Sequence, residues 1–259
     1  MSAAKLQAAR RMFDTVILLT GAVEGNVLPS VLRRHNPLLG VVPVQTSAEL
    51  AALNPDLLRR ARLVAFTTPV IVPQAILAQL GYGAVNFHPG PPSYPGWAPA
   101  HFALYHRATE FGATAHVMIE RVDAGPIIEV AMFAIPADIS VLGLEGMAYA
   151  RLAQLFWRMA KWLALNPEPP PALPLQWGET KYFRSAYRAM CEISLDLPRD
   201  EFDRRLRIFG ANHFGISLTI TLHGVEFRAV AGPLIQPTAG SHWPRLDPAM
   251  IAPLEPARG

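Results

Sequence analysis

Three side chains in this sequence have the types and spacing to move a proton and stabilise a charge. Asn86 and His88 stand two apart at the end of a strand-like run, inside "VNFHPGPPSYPGWAP", residues 85 to 99. Asp123 follows 35 residues after His88 (123 − 88) in a tight Asp-Ala-Gly turn. On an extended strand, residues two apart point the same way, so Asn86 and His88 face one reacting atom. A carboxylate brought against an imidazole raises its pKa and fixes its orientation, which suits the pair to donate a proton near neutral pH. An Asn amide beside them is a neutral donor for a developing oxyanion. With no Ser or Cys nucleophile evident nearby, the set suggests direct acyl transfer without a covalent enzyme intermediate. On pattern alone a strand-end Asn or His serves structure more often than catalysis, so the residue types leave both readings open.

The elements that must hold these groups follow from the hydrophobic pattern. "TVILLTG", "LGVVPV", "ARLVAFTTP" and "GAVNF" read as four short buried strands. Helical patterns separate them: "GNVLPSVLRRH", then "AELAALNPDLLRR" with Thr46 or Ser47 as N-cap, then "PQAILAQL" with Pro73 at its first turn. Strict alternation of strand and helix implies parallel strands with right-handed crossovers, an open α/β sheet whose ligands bind beyond the carboxyl ends of the strands. Asn86 and His88 lie at such an end. After the loop, where five prolines and two glycines occupy residues 89 to 99, "PAHFALYHRA" reads as helix, and "ATAHVMIE" and "GPIIEVAMFAI" read as paired strands. From Ser140 to Leu165 the apolar residues repeat at three and four, a long amphipathic helix.

Composition bounds the rest. At 259 residues with 51% hydrophobic content the chain can bury one large core and a small second one. "NPEPPPALP" reads as a stiff linker, so the expected division is a catalytic domain over 1–165 and a Pro-rich linker over 166–179. A small β-rich module with one helix then covers 180–230, and an irregular Pro-rich tail 231–259. "MSAAKLQAARRMFD" has no apolar stretch of signal-peptide length, and no later run approaches a membrane span, so a cytoplasmic protein away from membranes is expected. The single Cys191 excludes an internal disulfide and a thiolate metal site. The net charge of +3 is too small to indicate a nucleic-acid partner.

"NFHPGPPSYPG", "FGATAH" and "VDAGPII" together resemble the formyltransferase family that uses 10-formyltetrahydrofolate, over roughly residues 14 to 165. The family includes glycinamide ribonucleotide, methionyl-tRNA and sugar-amine formyltransferases. The resemblance implies a Rossmann-like, mostly parallel sheet and transfer of a formyl group from 10-formyltetrahydrofolate to an uncharged amine or hydroxylamine of a small molecule. It implies that Asn86 and His88 bind the formyl oxygen, with His88 as general acid, and that Asp123 orients His88 and takes the acceptor's proton. The donor is expected against Pro89, Tyr94, Trp97, Thr114, His116, Val122 and Gly125, and a homodimer is the expected assembly. In this chain Gly90, Pro91, Pro92 and Ser93 replace the Ser-Leu-Leu-Pro run of many members.

Other residues receive plainer readings. His101 and His106 invite a metal site with His88 and His116, but five residues on a helix turn them about 140° apart, so no metal is expected. Aromatics between prolines, such as Tyr94 and Trp97, often serve only to pin a loop. His116 is as suited to buttressing the site as to plain packing. Arg204, Arg205 and Arg207 read as a solvated helix face. A methionyl-tRNA formyltransferase is the first alternative, weakened because residues 63 to 106 contain no Lys, Arg, Asp or Glu to meet a phosphate backbone. A formyltetrahydrofolate hydrolase and a non-catalytic folate or metabolite-binding module are the others.

Overall fold

The computed structural model describes residues 13–229; the tail expected over 231–259 lies outside them. Its centre is a six-stranded sheet in the order β2-β1-β3-β4-β5-β6. The strands are β1 (Thr15–Leu19), β2 (Gly40–Val44), β3 (Ala61–Phe66), β4 (Ala84–His88), β5 (Glu110–Val117) and β6 (Ile127–Ala134). Strands β1 to β4 pair in parallel, while β5 runs antiparallel to β4 and β6 antiparallel to β5. The sheet is therefore mostly parallel, as the strand and helix alternation implies.

Alternation along β1 divides the core. Val16 and Leu18 join a layer with Phe66, Phe87 and the helices α1 (Ala22–Arg33) and α6 (Val141–Leu165). Ile17 and Leu19 point through to the other face, against Leu50 and Leu58. Those two residues lie on the short helices α2 (Ser47–Ala51) and α3 (Pro55–Arg60). Because parallel strands are covered on both sides, Val16–Leu19 of β1 and Leu63–Phe66 of β3 read as unbroken apolar runs rather than alternating ones. The side chain of Thr46 caps α2 by accepting the Glu49 amide, and Pro73 precedes α4 (Gln74–Leu77) as its N-cap residue.

Helix α6 is the long amphipathic helix of the sequence pattern; Leu152, Leu155, Phe156, Met159 and Leu163 pack on the sheet. Arg62, on β3, is buried under its end. The Arg62 guanidinium donates to the carbonyls of Tyr82, Leu163, Pro167 and Glu168 and stacks 4.3 Å over the Trp162 ring. A buried cation thus ties the end of α6 to the sheet.

Beyond residue 183 come α7 (Arg184–Cys191), α8 (Arg199–Phe209), a 3-10 turn at His213–Gly215, and a hairpin of β7 (Thr219–Leu222) and β8 (Val225–Arg228). Where a β-rich module with one helix is expected, the described residues form two helices and a single hairpin. "RSAYRAMC" forms α7 with Tyr187 and Cys191 facing inward, a pattern too short to stand out as periodic. "CEISLDL", part of the span expected to be β-rich, forms no named strand and contributes an isolated bridge, Glu192 to Thr219. Tyr187, Phe209 and Leu218 form a satellite core together with Phe102 of α5 (Pro99–Tyr105). Among the described residues no helix is long and apolar enough to cross a membrane.

Candidate active site

At the carboxyl end of β4, Asn86 pairs in register with His116 and His88 with Thr114. The ladder brings together residues separated by 30 and 26 positions (116 − 86 and 114 − 88). A β-bulge falls at Ala115 and His116, where β6 skips from Glu129 to Ile127. Bulges re-aim side chains at strand ends, and here His116 turns toward the β4 pair.

Asp123 completes the group. Its backbone has φ 44°, a left-handed conformation uncommon for a residue with a side chain and frequent at functional sites. Asp123 Oδ2 lies 3.5 Å from His88 Nδ1 and Oδ1 lies 3.2 Å from His116 Nε2. The backbone N–H of Gly96 donates to Oδ2 at 2.9 Å. One carboxylate therefore bridges two imidazoles and the Pro-rich loop. His88, His116 and Asp123 are 4%, 2% and 5% exposed, so these charges act in a low dielectric. Burial opposes the Asp123 charge, but His88, His116 and the Gly96 amide outweigh it and hold the carboxyl well below its usual range. Burial is the main influence on His88 and lowers its pKa, with Asp123 and the Tyr94 carbonyl acting in the opposite direction.

Hydrogen-bond roles follow from what each partner allows. The Tyr94 carbonyl only accepts, so His88 Nε2–H donates to it at 3.1 Å. His88 Nδ1 then faces Asp123, which steadies a proton there against the burial that favours the neutral ring. The Val117 carbonyl accepts from His116 Nδ1–H at 2.9 Å. His116 Nε2, 3.0 Å from Asn86 Nδ2, either accepts the Asn86 amide or, when protonated, donates to Asp123. A proton gained or lost in this group changes what Asn86 can offer.

The Pro-rich loop is fixed from several sides. Thr114 Oγ1 donates to the Gly90 carbonyl at 2.7 Å. Gly96 has φ 97°, and a Cβ there would stand 2.1 Å from the Tyr182 carbonyl oxygen, so only glycine fits. Trp97 N–H donates to that same oxygen, and Tyr182 N–H donates to the Pro95 carbonyl. At Gly125 a Cβ would fall 1.9 Å from the Val117 carbonyl oxygen, which explains the glycine of the Asp-Ala-Gly turn.

Of the residues expected at the site, Asn86, His88, Thr114, His116 and Asp123 converge, with Pro89, Val122 and Gly125 beside them in the chain. Tyr94 and Trp97 are placed differently. The Tyr94 ring stacks on Tyr182 at 6.1 Å, and the Trp97 ring packs on Phe214 at 4.2 Å and Tyr187 at 5.1 Å. Both half-buried rings pack against the part of the chain beyond residue 181. They pin the loop because that part offers an aromatic surface the linear sequence does not show. His101 is fully buried in the same layer, and burial followed by His213 pushes it down to about 3. Among the described residues no group of three or more His, Cys, Asp or Glu side chains is arranged to hold a metal ion.

Sequence reasoning missed Trp177 and Lys181. Trp177 Nε1–H donates to the Gly125 carbonyl at 2.8 Å, and its ring stands edge-on to His116 and His88. The Lys181 ammonium donates to the Val122 carbonyl. A lone Trp just past a Pro-rich stretch was the only sequence signal available.

An open, mostly parallel sheet with an Asn, two His and an Asp gathered at one strand end defines an α/β enzyme-type scaffold. Residues 40–147 match the family model described as Formyl transferase. A methionyl-tRNA formyltransferase from Listeria welshimeri is 41% identical over 81 residues, 31% of this chain and 24% of that protein. The match thus spans about a quarter of the curated relatives' length. A sugar N-formyltransferase from a Shewanella species superposes with TM-score 0.64 at 16% identity, covering 86% of this chain and all of that one. An N-formyltransferase from Helicobacter canadensis, solved with folinic acid and dTDP-3-aminofucose, superposes with TM-score 0.58 at 14% identity, covering 82% of this chain and 85% of that one.

Proposed function

We propose that this protein transfers a formyl group from 10-formyltetrahydrofolate to an amine or hydroxylamine of a small molecule by direct attack. The observation that carries the reading is the Asp123 carboxylate bonded to His88 and His116 at the end of β4, with Asn86 at the same point. The acceptor nitrogen's lone pair attacks the formyl carbon, and the carbonyl electrons move onto oxygen. The Asn86 amide receives that oxyanion, and the His88 Nε2 proton joins it by leaving the Tyr94 carbonyl. Asp123 accepts the acceptor's proton, through water where distance requires, and collapse of the intermediate breaks the bond to folate N10, which takes a proton. Cys191 lies buried among the C-terminal helices, away from this group, so no thiol serves as nucleophile.

The chain has features suited to the donor. Exposed Val122 and Ile119 flank the Asp123 turn and offer apolar surface to a flat ring. The Helicobacter relative, bound to folinic acid and an amino-sugar nucleotide, supports a folate donor and a small-molecule acceptor. In this reading the catalytic unit runs to residue 165, followed by a Pro-rich segment over 166–179 and a C-terminal module packed on α5, and the homodimer belongs to the same proposal.

Isothermal titration with folinic acid, a stable formyl-folate, tests the donor. Micromolar binding that survives Tyr94→Ala, with turnover abolished in His88→Ala, is the expected result; absence of binding to folded protein refutes the reading. The match to a methionyl-tRNA formyltransferase favours tRNA as a second acceptor. tRNA binding that weakens steeply with added salt would support it, and a flat response would remove it.

A further inference from the structure

His88, His116 and Asp123 are almost wholly buried, and most of what covers them belongs to the fold already described. Strands β4 and β5 form the floor, the Tyr94 carbonyl covers His88 Nε2, and the Gly96 amide covers Asp123. A further wall comes from far along the chain. The Trp177 ring stands edge-on to His116, with centroids 4.9 Å apart at 87°, and to His88 at 5.8 Å and 73°. It touches both imidazoles that Asp123 joins.

The ring is held at both rims of the site. Its Nε1–H bonds the carbonyl of Gly125, two residues past Asp123. The next amide, Gly178 N–H, bonds the carbonyl of Pro92 in the Pro-rich loop at 2.8 Å. Upstream, Leu173 N–H bonds the Ile127 carbonyl at 2.7 Å. A stretch composed like a spacer is therefore strapped across the site. A Cβ at residue 178 would come within 2.9 Å of the Ser93 carbonyl oxygen, so the strap lies against the loop.

Resting on the formyl-transfer reading, we propose that Trp177 is a positioning residue that keeps bulk water off the Asp123–His88–His116 group and so directs the formyl carbon to an amine and away from hydrolysis. The need for such a shield follows from the chemistry. A carboxylate able to take a proton from an attacking amine can also take one from water. Water oxygen would then bond to the formyl carbon, the bond to N10 would break, and N10 would gain a proton, leaving formate and tetrahydrofolate. Closing a site against water suppresses this side reaction and strengthens the charge pairs inside. An indole meets both requirements, since its faces and edges exclude water while its single N–H fixes it in place.

The test needs no knowledge of the acceptor. Formate release from 10-formyltetrahydrofolate without any amine is measured for the full chain, Trp177→Ala and Trp177→Phe, alongside NMR titration of histidine-labelled protein. Trp177→Ala should release formate about tenfold faster, equivalent to ~1.4 kcal/mol of barrier. The His88 midpoint should rise toward the ordinary histidine value as water reaches it, and Trp177→Phe, which keeps a ring, should restore most of both properties. An unchanged His88 midpoint in Trp177→Ala overturns the shielding. A raised midpoint without faster formate release, in a protein whose parent turns over, overturns the link to hydrolysis. A parent that neither transfers nor releases formate removes the formyl-transfer reading and the hydrolysis link with it, while the His88 titration still decides whether Trp177 shields.

Discussion

Replacing Asp123 by Asn removes one negative charge and little else. The Asn side chain has nearly the same shape, and its oxygen can still accept the Gly96 amide. What disappears is the attraction across 3.5 Å to His88 and 3.2 Å to His116. For a protonated His88 3.5 Å from the carboxylate and an effective dielectric of about 20, Coulomb's law gives roughly 5 kcal/mol. The remaining amide dipole and local relaxation offset part of this, and we expect a net loss of ~2 kcal/mol for the His88 imidazolium. The His88 pKa moves downward, because the variant removes the main influence opposing burial. His88 would then be less often protonated at pH 7, and formyl transfer should fall by about 10²–10³-fold, with the basic limb of the pH profile displaced to lower pH. Histidine NMR reads the first effect and turnover with 10-formyltetrahydrofolate the second. The same variant has a stability signature. A carboxyl held below its usual pKa contributes stability above the unfolded value, lost as pH falls through the folded one. Asp123→Asn should therefore lose less stability than the parent as pH drops below about 4. A His88 midpoint and a turnover both unchanged in Asp123→Asn would refute the reasoning.

Further outcomes follow from buried charges outside the site. Burial pushes the Glu145 carboxyl on α6 up to about 8, with His213 Nε2 3.4 Å and His101 Nδ1 3.9 Å from it. A raised carboxyl pKa gives stability that is complete below the unfolded value and lost as pH rises toward about 8. Glu145→Gln should flatten that decline, raising Tm at pH 8 more than at pH 5 in a thermal melt series. Arg62→Ala deletes the cation that four carbonyls share and should cost about 3–5 kcal/mol in denaturant unfolding. Arg62→Lys should recover only part of this, because a single ammonium cannot reproduce the guanidinium fork. Full recovery by Lys would show that charge alone matters there.

Local pattern was enough to determine the scaffold and to single out three polar side chains that the fold brings to one strand end. Apolar runs alternating with helical periods predict the parallel strands β1 to β4, because burial on both faces demands continuous hydrophobic stretches. The two-residue spacing of Asn86 and His88 likewise places them on one side of β4, and the Asp-Ala-Gly turn marks Asp123 as close to a strand end. Tertiary structure alone decided how they meet. The bulge at His116, the left-handed backbone of Asp123 and the Gly96 amide that reaches its carboxylate depend on cross-strand register and on contacts from Tyr182, far along the chain. Tyr94 and Trp97 show the same limit, since an aromatic between prolines is equally suited to a ligand and to a neighbouring helix until α7 and its partners are in place. Trp177 shows it most fully. Its sequence neighbourhood describes a spacer, and only the hydrogen bonds from Trp177 to Gly125 and from Gly178 to Pro92 turn that spacer into a wall of the site. Periodicity is a property of neighbours in sequence, whereas the shielding of a charge depends on whatever surface the folded chain brings against it.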